Sequence, residues 1–244
     1  MITLSDFDEI SLVQASLFIS DFSFSTARIL KTVLDHCSDQ FDGDPTVLPL
    51  PDDAPKEIPR IVLERKDKSM KLEITPVRLN LFRTKTQNED KISPKSFLGR
   101  QPDLLRKIIE NMGADCVRMA VVLERFCFKK EPAKEIAIHF SKEDFTKQPF
   151  NRPSAFELHS LKKYNFLDSF EVNSWVRIKT GRAQPEKGVF RPAIIAHQDI
   201  NTSAELMDKR VYDSHDMSNF FSNIFEEFEN ILKLYFPEIP EVKQ

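Results

Sequence analysis

Between Met217 and Phe236 apolar residues recur at 217, 220, 221, 224, 225, 228, 231, 232, 235 and 236. Gaps of three and one set them along one stripe of an α-helix. Asp213 or Ser214 stands where an N-cap belongs, and Pro237 stops the run. Five of the stripe residues are Phe, which has no polar handle and must be covered. The rest of the chain has to supply a surface broad enough to cover it.

That surface is written in period two. In "LVQASLFIS", Val13, Ala15, Leu17 and Ile19 alternate with Gln14, Ser16 and Ser20, the pattern of a half-buried strand. Ser25 then caps a helix carrying Ile29, Leu30, Val33, Leu34 and Cys37. Three short strands follow, "RIVLERK", "MKLEI" and "VRLNLFR", with a turn at "KDKS" (66–69) and a break at Pro76. Residues 85–100 are polar and aperiodic and read as loop. Pro102 opens a helix striped by Leu104, Leu105, Ile108, Ile109 and Met112, with Gly113 placed as its C-terminal glycine.

The second half repeats the order. "CVRMAVVLERFCF" is a long strand, and Pro132 opens the helix "PAKEIAIHF". Residues 141–154 read as loop. "AFELHSLKKYNF" and "SFEVNSWVRIKT" read as strands joined around Leu167-Asp168. "GRAQPEKG" reads as a turn, and "VFRPAIIAHQDI" as a strand in which Pro192 marks an edge or bulge. A shift of 104 lays Val13, Ala15, Leu17 and Ile19 on Val117, Met119, Val121 and Leu123. Each half reads strand, helix, three strands, helix.

The expected fold is therefore α+β: a largely antiparallel sheet with helices packed on one face. Its pseudo-duplicated β-α-β3-α halves, at 11–113 and 114–237, share the element order of the TATA-binding-protein type. That analogy carries no function. The chain is expected to form a single domain over 1–244. The proline-rich "PLPDDAPKEIP" (49–59) falls inside the first half. Cutting there would leave 1–48 with one strand and one helix, too little to bury a core. It reads as an ordered surface crossing to a sheet edge.

Charge and cysteine usage bound the function. The net charge is −3, so no global basic excess points to nucleic acid. Cys37, Cys116 and Cys127 sit in apolar stretches and read as reduced thiols of a cytoplasmic protein. "MITLSDFDEISL" lacks the basic start and apolar core of a signal peptide, and no apolar run is long enough for a membrane span. No membrane partner is expected.

No motif names a reaction. G-x-S-x-G, G-x-x-x-x-G-K-[ST] and G-x-G-x-x-G are absent. His36, His139, His159, His197 and His215 are scattered without metal-ligand spacing. Asp52, Asp53 and Glu57, and Asp213 with Asp216, are carboxylate clusters. "ERK" (64–66) and "LERFCFKK" suit the E-x-K half of a nuclease site, but no correctly spaced Asp precedes either. No catalytic residue, cofactor or metal is assigned.

Cations gather at Arg60, Arg65, Lys66, Lys68 and Lys71, at Arg78, Arg83 and Lys85, and at Lys162, Lys163, Arg177, Lys179 and Arg182. Gathered on the open sheet face beside Trp175 and Phe82, they would form a basic saddle able to track phosphates. Glu64, Asp67, Glu73 and Glu171 interleave with them and favour an ordinary mixed-charge face. Trp175, among polar neighbours, is the expected interface anchor. The candidate interface is Trp175, Phe82, Arg177, Lys179 and Arg78.

One stretch carries a resemblance. "LPLPDDAPKEIPRIVLERKDKSMKLEITPVRLNLF" holds Pro55, Pro59, Arg60 and Ile61 as P-x-x-x-P-R-I, Asp67 and Ser69 in a D-x-S turn, and "RLNLF" at 78–82. Over about residues 48–83 it resembles an uncharacterised, sporadically distributed prokaryotic family of about 250 residues. The long amphipathic C-terminal helix is shared in outline. The resemblance implies no activity. Its patchy distribution implies an accessory system, such as phage defence or toxin–antitoxin, in which this chain is a partner-binding component.

The expected function is thus a non-enzymatic protein-interaction component of a multi-component bacterial system, with a SecB-like chaperone as a variant. The alternatives are a nucleic-acid-binding protein or nuclease using the basic strand faces, and a small-molecule sensor with a cavity between sheet and helices.

Overall fold

The computed structural model describes residues 2–20, 22–37, 39–51, 53–86, 91–186 and 189–238. The elements run β1 (Glu9–Ile19), α1 (Thr26–Cys37), β2 (Thr46–Val47), β3 (Ile61–Glu64), β4 (Met70–Ile74), β5 (Arg78–Thr84), α2 (Pro94–Arg100), α3 (Pro102–Met112), β6 (Cys116–Phe128), α4 (Pro132–Phe140), α5 (Glu143–Lys147), β7 (Glu157–Phe166), β8 (Phe170–Glu186), β9 (Val189–Thr202) and α6 (Ser214–Tyr235). The strands form one nine-stranded sheet in the order β2-β3-β4-β5-β1-β6-β9-β8-β7. Every pairing is antiparallel. The protein is α+β, as the patterning implies.

Period two decides which side of each strand is buried. Val13, Ala15 and Leu17 of β1, Leu79 and Leu81 of β5, and Val121 and Leu123 of β6 are fully enclosed. They share one core with Ile29 and Val33 of α1, Leu105 and Ile108 of α3, and Phe220, Phe221, Ile224 and Phe228 of α6. The helices therefore lie on one face. Enclosing each of those Phe side chains contributes roughly 1.5–3 kcal/mol. Asp213 caps α6 by accepting the Asp216 N–H at 2.8 Å. Gly113 ends α3 at φ 70, a conformation that a side chain disfavours.

The halves meet at the middle of the sheet. β1 pairs with β6 in a register that sets Ala15 against Val121 and Leu17 against Met119. Outward from β1 come β5, β4, β3 and β2; outward from β6 come β9, β8 and β7. The strand-helix-three-strand-helix order underlies both halves, with β2 and α2 added in the first and α5 in the second. No helix among the described residues is long and apolar enough to cross a membrane.

Three loop assignments need correction. Residues 85–100 contain α2, where Ser93 accepts the Ser96 N–H and Phe97 and Leu98 are buried. Seven residues are too few to show a helical period, and packing against α3 and α6 holds the helix. Residues 141–154 contain α5, which buries nothing and leaves no apolar stripe to read. The stretch 181–188 is not simply a turn: β8 runs on to Glu186 and β9 starts at Val189, with Arg182 opposite Pro192 and Ala183 opposite Arg191. That extension follows from the ladder, since its residues do not alternate. Pro192 lies beyond the last β6–β9 pair, Phe128 with Ala193, so it stands at a local edge. Residues 87–90 and 187–188 lie outside the described residues.

The proline crossing is tied down at both ends. The Leu48 N–H donates to the Arg60 carbonyl and the Arg60 N–H to the Ile74 carbonyl, which brings the chain into β3 directly after Pro59. Turns at Ala54→Pro51 and Ile58→Pro55 shape the stretch between, which runs over the surface.

Candidate interaction face on the open side of the sheet

Residues paired across strands share a face, so the register identifies the side away from the helices. On β8 it carries Trp175, Arg177 and Lys179, opposite Leu161, His159 and Glu157 of β7 and Asp199, His197 and Ile195 of β9. On β5 it carries Arg78 and Phe82, opposite Phe18 and Gln14 of β1. All five candidate residues thus share one face but fall into two groups. Four strand spacings separate β5 from β8, about 19 Å.

The β8 group is the exposed one. Trp175 is 44% exposed and its cross-strand neighbour Leu161 is 42% exposed. Beside them Arg177 Nε lies 3.3 Å and His159 Nε2 2.9 Å from Glu157 Oε1. The His159 hydrogen bond, with the nearby charges of Arg177 and Lys179, holds the Glu157 carboxyl below its ordinary range. β7, ten residues long, pairs among the described residues with β8 alone, and no described strand covers its outer edge. The opposite edge is guarded by a two-residue strand that leads into Pro49 and Pro51.

The β5 group is less open than expected. Lys71 Nζ sits 4.6 Å over the Phe82 ring. The Arg78 and Arg118 guanidinium groups lie 5.7 and 4.6 Å from the Phe18 ring. Phe82 and Arg78 are therefore half-buried, and Phe82 is no exposed stacking platform. The middle of the face is closed by amides. Ser16 Oγ donates to Asn80 Oδ1 at 2.8 Å, and Arg118 Nη2 to Asn201 Oδ1 at 2.7 Å. Asn80 pairs with Ser16 and Asn201 with Ala120, equivalent places in the two halves.

The charge pattern does not make a basic saddle. The open side interleaves Lys71, Arg78, Arg118, Lys163, Arg177 and Lys179 with Glu64, Glu73, Glu124, Glu157, Glu171 and Asp199. Arg60, counted with the basic clusters, is buried.

One trio invites a catalytic reading. Ser11 Oγ donates to Glu124 Oε1 at 2.9 Å, and His197 Nδ1 lies 3.6 Å from Glu124 Oε2. His197 and Ser11 together hold the Glu124 carboxyl low against the opposing effect of burial. In a Ser-His-Asp arrangement the hydroxyl donates to the imidazole. Here it donates to the carboxylate, and the trio ties β1, β6 and β9 together. It borders a cavity of about 300 Å³ roofed by Arg182 and Phe190 of the β8–β9 hairpin.

The remaining candidates have structural placements. Asp213 caps α6, and His139 bonds the Tyr235 carbonyl at 2.8 Å. Glu64 pairs across to Lys71 and Glu124 to His197, while beside the first E-x-K stretch Asp42 Oδ1 accepts the Lys66 N–H at 2.9 Å. Asp52 lies outside the described residues. Among the described residues no three His, Cys, Asp or Glu side chains gather to hold a metal. Burial pushes the Cys37, Cys116 and Cys127 thiols up to about 12. Leu161 stands beside Trp175 on this face without being among the five candidates. "ELHSLKKYNF" has no clean alternation, and only the register puts Leu161 beside Trp175. No family model matches the chain, and no curated protein matches it.

Proposed function

We propose that this protein is a non-enzymatic component that binds another protein at the corner formed by β7 and β8. The observation that carries the reading is the exposed Trp175–Leu161 pair beside a ten-residue strand with a free edge. Backbone groups on a free edge accept an added strand, and an exposed aromatic supplies the anchor. The partner expected there presents an extended segment with an apolar side chain over Trp175. A place in a multi-component bacterial system belongs to the same proposal. The mixed charges of the face weigh against the nucleic-acid alternative.

The test is capture of partners from the native host with wild-type protein, Trp175→Ala and Leu161→Lys. A partner held by wild type and lost from both variants supports the reading. Identical captures by all three, or salt-sensitive binding of generic DNA or RNA, would overturn it.

A further inference from the structure

β7 is an antiparallel match for itself. Its open side carries Glu157, His159, Leu161 and Lys163, all four exposed. The Phe156 carbonyl accepts the Thr180 N–H at 3.0 Å, so the backbone of every second residue from Phe156 turns inward to β8. The N–H and C=O groups of Glu157, His159, Leu161 and Lys163 therefore turn to the outer side, where no described strand covers them.

Laid antiparallel against a second copy with Ser160 on the two-fold axis, the strand sets Glu157 opposite the second copy's Lys163, His159 opposite its Leu161 and Leu158 opposite its Lys162. An isologous interface repeats each contact, so opposite charges meet twice. An axis at Lys162 would set that cation against itself. An axis at Leu161 would set Glu157 opposite Asn165 and His159 opposite Lys163. Only the Ser160 register, of these three, pairs the carboxylate with a cation. Both charges have capacity to spare. His159 and Arg177 contact Glu157 at Oε1, which leaves Oε2 open among the described residues. Lys163 Nζ meets Glu205 at 3.1 Å, and an ammonium has three N–H groups to give. In the same register Trp175, Leu161 and the second copy's His159 fall in one cross-strand row, so the added strand covers the flank of the exposed apolar pair.

We propose that the partner at the β7–β8 corner is a second copy of this chain, paired β7 to β7 about Ser160, which joins two nine-stranded sheets into one. This rests on the reading of that corner as a docking site and names its occupant. Outward backbone groups and the Trp175–Leu161 surface supply the affinity. The Glu157–Lys163 pairs are exposed, so they set register and orientation more than strength. Lys162 and Lys163 disfavour a neutral or basic strand at this edge, and the copy's Glu157 answers them.

Sedimentation equilibrium of the whole chain over a range of concentrations tests this. The expected result is a reversible monomer–dimer equilibrium. Leu161→Lys should weaken it at least about tenfold. Glu157→Lys and Lys163→Glu, each alone, should weaken it at least about threefold. The double exchange should return it toward wild type, because the two charges trade places across the axis. Under mild oxidation Ser160→Cys should give a disulfide-linked dimer, since that position meets itself on the axis, whereas Lys162→Cys should not. The native Cys37, Cys116 and Cys127 are buried and leave this readout clear. A monomer at every concentration, a dimer indifferent to Leu161→Lys, a double exchange no better than the single ones, or equal cross-linking at 160 and 162 would each overturn the proposal. If Leu161→Lys does not fold, the charge exchange and the cross-link decide. A monomer that captures a different protein through Trp175 would leave the corner a docking site and overturn the second copy as its occupant.

Discussion

Ser16 pairs with Ala120 across the centre of the sheet, and the two residues are separated by the same 104 positions that relate the halves. A residue paired with its own equivalent marks a local two-fold axis. The axis explains why Asn80 and Asn201 occupy matching places on either side of the pair. The halves are tied by the β1–β6 ladder and by α6 packing against α2 and α3. Polypeptides 1–113 and 114–244, produced together, should co-purify as a soluble complex. Produced singly, each bares its central strand and should aggregate. Two soluble, non-associating halves would contradict this.

Arg125 points to the helix side of β6, 4% exposed at its side chain, and its Nη2 meets Glu229 Oε1 of α6 at 2.5 Å. Glu229 is 35% exposed. The two partners should therefore respond unequally. Glu229→Ala leaves a buried cation unpaired and should cost about 2 kcal/mol in urea unfolding, below the fully buried case because water reaches the site. Arg125→Met leaves a carboxylate that water solvates, and should cost less than about 1 kcal/mol.

Leu167 and Asp168, in the β7–β8 hairpin, have φ of 51° and 57°. Left-handed backbone disfavours Leu, whereas Asn-Gly suits such turns. Leu167 is 41% exposed, so replacing it loses little burial. The double change Leu167→Asn, Asp168→Gly should raise stability by about 1 kcal/mol, read as a higher thermal midpoint.

The Glu124 carboxyl lies below its ordinary value of 4.5, first through its His197 hydrogen bond and then through Ser11. A group whose folded pKa is lowered stabilises the fold above its unfolded pKa. That contribution disappears as pH falls through the folded value. The stability gap between wild type and Glu124→Gln should thus be full at neutral pH and close as pH drops below 4.5. A gap unchanged by acid would refute the tie.

The three thiols, raised to about 12 by burial, should resist iodoacetamide at pH 8 in the native protein and react in urea, read by intact mass. Rapid labelling of the folded chain would contradict their enclosure.

Local periodicity is legible along the chain because it needs no partner segment. Alternation in 12–20, 116–128 and 169–180 set the inner faces, and the stripe of 217–236 set the covering helix. Pro102, Gly113 and Asp213 marked helix ends because caps act within one turn. Trp175 was legible as exposed because its strand alternates cleanly. Long-range pairing and packing fixed the remainder. Strand order and register depend on pairing between residues far apart in the chain, so Leu161 beside Trp175, and Phe82 four strands from Trp175, had no local signal. α2 exists because α3 and α6 hold it. Arg60 read as one of a basic cluster, and packing buried it instead, since burial depends on which segments fold over a residue and not on its neighbours in sequence.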